Sequence, residues 1–249
     1  SLHDALPIYE IMTNGTAYDN LGELTKRIGP RFSATPGYTK AVEWAEKKFK
    51  EMGINMIWRQ EAKAPVWIRG KESLQIKSGN GDWKNIRMLS FGNSVGTGGK
   101  DLVGEIVLIN STSELNAMSI GQLKDKIVFV NVPMDPKIIN TSDSYLQAAK
   151  SKLISASVIA KTGAKALIIR SLTTASDDTP HAKMIYYEPD DKVKIPALSI
   201  GVRSADELEK TLKKQKVTAK INMTAESKGD TTNPNIIAEI GGKKDSKVI

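Results

Sequence analysis

The length, composition and charge of the chain exclude several classes of protein. With 249 residues, of which 40% are hydrophobic and 26% charged, the chain has the composition of an ordinary globular protein with a substantial core. It has no cysteine, which excludes disulfides, thiolate metal sites and cysteine nucleophiles. The two histidines, His3 and His181, are too few for most catalytic metal sites. Any chemistry performed by these residues therefore depends on carboxylates and hydroxyls.

The net charge of +8 does not by itself indicate a nucleic-acid or membrane partner. The lysines are scattered, and the densest group, at residues 210–220, follows acidic residues in a mixed-sign pattern that is typical of a solvent-exposed surface. No run alternates basic with aromatic residues, as a groove for single-stranded nucleic acid would. No apolar run reaches the roughly 18 residues of a membrane-spanning helix. We therefore expect neither nucleic acid nor a membrane as a partner.

The N-terminal part of the chain is predicted to be helical. Apolar residues recur at three- and four-residue steps between residues 13 and 28, and Gly29-Pro30 ends this amphipathic pattern. A second helix is predicted from about residue 36 to residue 52, with Gly53 as its C-terminal stop. Short strands are predicted to follow at residues 54–60, 66–68 and 74–77.

From about residue 70 the pattern changes to strands and turns. Strands are predicted at 86–91, 103–110 and 127–130, followed by a long helix at 142–161 and an apolar strand at 166–169. A polar loop at 171–191 leads to a strand at 195–200 and a helix to about residue 214, for which Ser204 and Glu207 form a capping box. The last predicted elements are an alternating strand at 217–223, a polar linker at 226–235, and a hairpin made by 236–240 and 247–249.

One short motif suggests a serine nucleophile. Residues 92–96 fit the G-x-S-x-G pattern of hydrolases, in which Ser94 would attack the substrate with Asp177 or Asp178 and His181 as partners. That motif needs a helix directly after it, and the glycine-rich residues 97–101 do not favour one. The spacing also fails the phosphate-loop and dinucleotide patterns. We interpret the motif as a glycine-rich turn and keep a serine hydrolase using Ser94 as an alternative.

The loop at residues 177–181 concentrates two carboxylates and the second histidine. Asp177, Asp178 and His181 could bind a metal ion through oxygen and imidazole. In a second interpretation the aspartates cap turns ahead of Pro180 in a surface loop. In a third, the loop contacts a substrate that is bound by a neighbouring domain. The residues alone leave these three interpretations open.

Several ordered segments resemble one peptidase family. The stretches "LSFGNSVGTGG" (89–99), "GEIVLINSTSEL" (104–115), "LKDKIVFVNVPMD" (123–135), "IAKTGAKALIIRSLT" (159–173), "DDTPHAKM" (177–184) and "KIPALSI" (194–200) resemble, in this order, the N-terminal half of the carboxypeptidase Q family. The resemblance implies a zinc-dependent exopeptidase that holds two metal ions in an α/β catalytic domain. It also implies that a protease-associated (PA) domain is inserted into that catalytic domain.

The resemblance implies an α/β fold class: the incomplete opening of a zinc-exopeptidase catalytic domain with an inserted β-rich PA-type domain. Residues 1–70 would open the catalytic domain, residues 71–226 would form the PA-containing insertion, and residues 227–249 would be a linker and strands that return to the catalytic domain. The family's His-Leu-Asp zinc motif would follow Ile249, so we assign no catalytic or metal-binding residue within the chain. Two zinc ions are expected in the longer protein and none on this chain. Ser94, Asp178 and His181 are expected to face the substrate cleft.

Two functional hypotheses follow. The chain is the N-terminal portion of an exopeptidase that hydrolyses dipeptides or short peptides and is inactive alone, or it is a stand-alone PA-type module that binds a peptide or protein. A portion of an enzyme should leave Val42, Phe49 and residues 236–240 without a partner sheet, whereas a module should be self-contained. The resemblance further implies a peptide substrate, a secreted or periplasmic location and a homodimer.

Overall fold

The computed structural model describes residues 2–118, 121–149 and 155–241. It divides into two compact units. Unit 1 consists of residues 1–66 and 228–249, and unit 2 consists of residues 67–227. None of the helices within the described ranges has the length and apolar character that a membrane-spanning helix needs.

The helices of unit 1 occupy the first 51 residues. They are α1 (Leu2–Asn14), α2 (Ala17–Gly22), a π-helix (Glu23–Ile28) and α3 (Pro36–Glu51). The helix predicted at 13–28 thus corresponds to α2 and the π-helix, and it ends at Gly29, whose φ of +78° suits glycine. The sequence pattern did not predict α1. Helix α3 begins as expected, because the Thr35 hydroxyl accepts a hydrogen bond from the Tyr38 N–H at 3.3 Å, and Pro36 occupies the first turn.

Two long strands complete unit 1. The two-stranded sheet pairs β1 (Met56–Ile68) with β10 (Glu226–Glu239). The linker predicted at 226–235 is therefore wrong, because pairing with β1 satisfies the backbone of a segment whose composition favours a loop. Asn233 lies in this segment and accepts a hydrogen bond from the Ala34 N–H at 3.2 Å. The second strand of the predicted hairpin, residues 247–249, lies outside the described residues.

Unit 2 is built on one eight-stranded sheet. The strand order is β3-β2-β9-β5-β6-β7-β8-β4. Strands β5 to β8 are parallel to one another, and the remaining pairs are antiparallel. The strands are β2 (Glu72–Ser78), β3 (Lys84–Ile86), β4 (Met88–Ser90), β5 (Leu102–Ile109), β6 (Ile127–Val130), β7 (Ala166–Arg170), β8 (Ala197–Ile200) and β9 (Val217–Met223).

Helices cover both faces of this sheet. The remaining helices are α4 (Thr112–Ala117), α5 (Thr141–Ala149), α6 (Ala156–Lys161) and α7 (Val202–Leu212). Alternate residues of β6 enter two core clusters: Phe129 lies in the cluster that includes Leu208 of α7, and Val128 lies in the cluster that includes Ile159 of α6. Strands that are buried on both faces read as continuous apolar runs, which is why residues 127–130 and 166–169 were readily predicted.

Two elements of unit 2 differ from the sequence prediction. The single helix predicted at 142–161 is wrong, because Ser155 has an extended backbone and its hydroxyl accepts a hydrogen bond from Val158 N–H at the start of α6. The single strand predicted at 86–91 is also wrong, because this part of the chain belongs to two separate strands. Its first part pairs as β3 with β2, whereas its second part pairs as β4 with β8, so Arg87 marks a change of partner.

Candidate functional site

A cavity of about 430 Å³ lies beside the carboxyl ends of strands β7 and β8. In open α/β sheets, ligands commonly bind outside the carboxyl ends of parallel strands, and ligand cavities of roughly 300–1,000 Å³ are typical. The lining is mainly apolar and aromatic, with hydroxyl groups and one imidazole. It includes Phe91, Tyr145, Leu167, Ile169, Ser171, His181, Met184, Tyr186 and Ser199. This cavity is the candidate ligand site of unit 2.

A second cavity of about 430 Å³ adjoins the first. The two share Tyr145 and Leu172, and the second also touches α5 and the loop after β7, through residues that include Thr141, Leu146 and Thr173. The two cavities are therefore neighbours at the carboxyl end of β7.

His181 lies at the first cavity, and two buried serines fix its backbone. The Ser171 hydroxyl accepts a hydrogen bond from the His181 N–H, and the Ser199 hydroxyl donates one to the His181 carbonyl, both at 2.8 Å. Ser171 follows β7 directly and Ser199 belongs to β8, so the strand ends set the position of this loop. The residue itself is exposed to solvent. Of the three residues expected at a substrate cleft, His181 is the one that lines this cavity.

Asp178 has a structural role at the start of α7. Its carboxylate accepts hydrogen bonds from the Ser204 N–H at 3.0 Å and from the Ser204 hydroxyl at 2.9 Å, and the Asp177 carbonyl accepts one from the Arg203 N–H. The predicted capping box of Ser204 and Glu207 is therefore wrong, because a carboxylate 26 residues upstream caps the helix. Gly201 permits this approach: a Cβ there would lie 2.4–2.6 Å from atoms of Asp178.

Ser94 is not placed as a nucleophile. Only 1% of the residue is exposed, and its hydroxyl accepts a hydrogen bond from the Ala197 N–H at 2.9 Å while donating to the Val95 carbonyl at 3.0 Å. No helix follows the motif, since residues 97–101 form loop and turn. Close packing requires a glycine at the end of the motif, because a Cβ on Gly96 would lie 2.6 Å from the Met223 carbonyl oxygen. The motif is a tight turn held against β9.

Tyr187 lies between the cavity-lining residues Tyr186 and Glu188 and connects two loops through its hydroxyl, although the sequence carried no signal for it. Its hydroxyl donates a hydrogen bond to the Ile195 carbonyl at 2.7 Å and accepts one from the Val95 N–H at 3.2 Å. Burial raises the pKa of this phenol above its ordinary value, because the charged form would lose its hydration. The hydroxyl therefore stays protonated and connects two loops at neutral pH.

A buried polar cluster joins the carboxyl ends of β6 and β7 to α7. Arg170 is 7% exposed and donates hydrogen bonds to the Asn131 side-chain carbonyl and to Asp206. The Asn131 amide in turn donates to Glu209 at 2.8 Å. Both oxygens accept from the same guanidinium nitrogen, Nη1, which offsets part of the cost of burying the charge, whereas the buried Nε has no hydrogen-bond partner among the described residues. The cluster fixes α7 against the sheet, and sequence reasoning missed it because its members are distant in the chain.

The described residues do not provide a metal site. Within residues 2–118, 121–149 and 155–241, no three histidine, aspartate or glutamate side chains come close enough together to hold a metal ion. Structural and catalytic zinc sites use three or four such ligands. The side chains described here therefore do not fit a zinc pair. The Asp178 carboxylate already accepts two hydrogen bonds from Ser204 of α7.

Comparison with known proteins relates this fold to a class of peptidases. A peptidase M28 precursor from Shewanella amazonensis is 30% identical and matches with a TM-score of 0.81, over 91% of this chain and 50% of that protein. A zinc aminopeptidase from Bacillus subtilis is 19% identical and shares the fold with a TM-score of 0.56, over 92% of this chain and 47% of that protein. The α/β fold class predicted from the sequence is confirmed, and it matches that of an M28 peptidase.

A curated relative points to a more particular resemblance. The carboxypeptidase Q of Xenopus laevis is 29% identical over 245 residues, which are 96% of this chain and 50% of that protein. The chain thus spans about half the length of the curated relatives it matches. No protein-family model matches the chain. The predicted resemblance to carboxypeptidase Q-like zinc metallopeptidases is confirmed.

Proposed function

We propose that the chain is the N-terminal portion of a zinc-dependent exopeptidase that hydrolyses dipeptides or short peptides. The match to the peptidase M28 precursor carries this proposal, because 30% identity and a TM-score of 0.81 extend over 91% of the chain. The names of two relatives support the exopeptidase activity and its dependence on zinc: one is a carboxypeptidase and the other is a zinc aminopeptidase. In this proposal the longer protein acts outside the cytoplasm, in a secreted or periplasmic location, and forms a homodimer.

We further propose that the chain is inactive alone. The described residues lack a cluster of metal ligands, so the zinc ligands and the general base would come from other residues of the longer protein. Unit 1 would belong to the catalytic domain and unit 2 would be the PA-type insertion that shapes substrate access. The exposed imidazole of His181 beside the cavity is then the best placed of the three candidate residues to meet a substrate.

Metal analysis combined with a hydrolysis assay tests this proposal. We expect the purified chain, equilibrated with zinc and passed over a desalting column, to retain far less than one zinc ion per molecule and to leave a dipeptide panel uncleaved. The matched control is a longer protein that joins this chain to the remaining half of such a peptidase, which should retain two zinc ions and show turnover. Stoichiometric zinc together with turnover by the 249-residue chain would contradict the proposal.

A second candidate function is a stand-alone PA-type binding module. The observation that favours it is the separate core of unit 2, with its own cavity. The features of unit 1 are mixed. Val42 is 6% exposed and residues 236–239 pair with β1, contrary to the expectation for an enzyme portion, whereas Ile240 is 77% exposed. Amide hydrogen exchange separates the two functions. A self-contained module should protect β10 as well as β6, whereas an enzyme portion should protect β6 alone.

A further inference from the structure

A short extended segment lies beside the cavity, at the edge of the unit 2 sheet. Strand β4 is the last strand of the sheet, and the chain continues from it into Phe91 and Gly92. Gly92 forms an isolated parallel bridge with Met184: the Gly92 N–H donates to the Lys183 carbonyl at 2.8 Å, and the Gly92 carbonyl accepts from the Ile185 N–H at 3.0 Å. Residues 183–185 thus add one more extended segment outside β4.

The backbone of Met184 is unpaired on the other side of this segment. Successive residues of an extended chain direct their N–H and C=O groups to opposite sides, so Met184 directs its own away from Gly92. Within the part of the chain that the structure describes, neither its N–H nor its C=O makes a hydrogen bond. The residue is 55% exposed and lines the cavity. An unpaired donor and acceptor at a sheet edge can pair with another extended chain.

We propose that this edge and the adjacent cavity bind an extended peptide with a large apolar side chain. The peptide backbone pairs with the N–H and C=O of Met184, and one side chain enters the cavity between Tyr186 and the carboxyl end of β7. Alternate side chains of an added strand point to the same side, which brings a side chain of the peptide over the cavity. The choice of a peptide as the ligand rests on the proposed function, whereas the edge and cavity belong to unit 2 alone.

Two features favour this ligand over a lipid or another apolar molecule. A hydrocarbon would fill the apolar lining made by Leu167 and Ile169 but would make no hydrogen bond to the Met184 N–H or C=O, which would stay hydrated. A peptide satisfies both groups and still presents an apolar side chain. The cavity of about 430 Å³ is at the lower end of the range for ligand sites, so it suits one or two side chains rather than a folded partner.

A titration followed by nuclear magnetic resonance tests the proposal on the 249-residue chain. The probe is acetyl-Ala-Phe-Ala-amide, and the matched probes are acetyl-Ala-Asp-Ala-amide and a fully N-methylated form of the Phe peptide. We expect the Phe peptide to shift the amide signals of residues 182–186. The Asp peptide should bind at least about tenfold more weakly, because its charge would have to be desolvated. N-methylation should weaken binding by a similar factor, because it removes the backbone donors.

A proline substitution tests the backbone pairing from the protein side. Met184→Pro removes the unpaired N–H and leaves both hydrogen bonds to Gly92 available. We expect it to weaken binding of the Phe peptide roughly fivefold, the usual effect of losing one backbone hydrogen bond. Val193→Pro, in an exposed loop position of the same unit, is the matched control and should leave binding unchanged.

Several results would overturn the proposal: no binding of the Phe peptide, equal binding of the Phe and Asp peptides, or full binding of the N-methylated form. If Met184→Pro fails to fold, the N-methylated peptide still decides the question. Binding at this edge by a chain that never acquires peptidase activity in its longer form would support the site and refute the proposed function. Zinc-dependent turnover by the longer protein without peptide binding at this edge would refute the site and support the proposed function.

Discussion

The two units of this molecule differ in how much apolar surface they bury. Unit 2 has a sheet covered by helices on both faces, and its clusters include fully buried Phe129, Leu167 and Leu198. In unit 1, among the residues whose exposure the structure describes, the buried hydrophobic residues are Val42 and Val66. Regular secondary structure is present in both units. The difference teaches that correct helix and strand formation does not by itself produce a core.

Several large apolar side chains of unit 1 are exposed to solvent. In α1 and α2, Ile8, Ile11 and Tyr18 are 62%, 68% and 81% exposed, and Trp58 on β1 is 43% exposed. A two-stranded sheet with a few helices has too little area to cover such residues. At about 25 cal/mol per Å² of apolar surface, leaving these side chains in water forgoes several kcal/mol of stabilisation. We therefore expect unit 2 to dominate the stability of the chain.

The largest expected effect comes from truncating a core residue of unit 2. Phe129→Ala removes a fully buried aromatic side chain from a central strand and should lower the free energy of unfolding by about 3–5 kcal/mol. Val42→Ala is the matched substitution in unit 1 and should leave the main unfolding transition unchanged, since Val42 belongs to neither core cluster. Urea denaturation followed by circular dichroism measures both. Equal losses in the two variants would contradict the comparison.

A smaller effect is expected at the cap of α7. Asp178→Ala removes the carboxylate that accepts two hydrogen bonds from Ser204 and should cost about 1–2 kcal/mol. Glu207→Ala tests the capping box predicted from the sequence and should have almost no effect. In the longer protein, Asp178→Ala should lower stability with little change in the Michaelis constant, and differential scanning calorimetry with peptidase kinetics separates the two roles. A changed Michaelis constant with unchanged stability would restore the substrate-cleft role of Asp178.

The smallest expected effect is a pH dependence at β5. A hydrogen bond from Lys126 holds the pKa of Glu105 below its ordinary value of 4.5. Since the folded-state pKa is depressed, the stabilisation is present above pH 4.5 and is lost as the pH falls through the lower folded-state pKa. We expect Glu105→Gln to cost about half a kcal/mol at pH 7, as partly exposed ion pairs do, and progressively less as the pH falls below 4.5. Urea midpoints measured for both proteins over a series of pH values from 7 downward measure it, and a difference that does not shrink as the pH falls would contradict this assignment.

The sequence predicted correctly those strands whose burial produces a regular pattern of apolar residues. Residues 127–130, 166–169 and 217–223 were predicted as strands because their apolar runs or alternation follow directly from facing one or two buried layers. It also recognised the turn at Ser94 as glycine-rich, and the resemblance to a peptidase family came from ordered segments across the chain. The identity of residues 71–226 as a PA-type insertion stays a prediction.

Failures occurred where distant residues decide local structure. The polar segment 226–235 became a strand because β1 pairs with it, and the cap of α7 came from Asp178 rather than from within the helix. No local signal distinguishes either outcome, since both depend on which segments meet after folding. The cluster around Arg170 and the free edge at Met184 were missed for the same reason.

The sequence alone determined the composition class, the strand and helix periods and the absence of cysteine chemistry, because each is a property of residue types and their spacing. The tertiary structure alone decided the role of each candidate residue. Ser94 is held in a turn, Asp178 caps a helix and His181 lies at a cavity, although all three read as candidates for chemistry. The physical reason is that reactivity depends on burial and hydrogen-bond partners, which the sheet assembles from segments far apart in the chain.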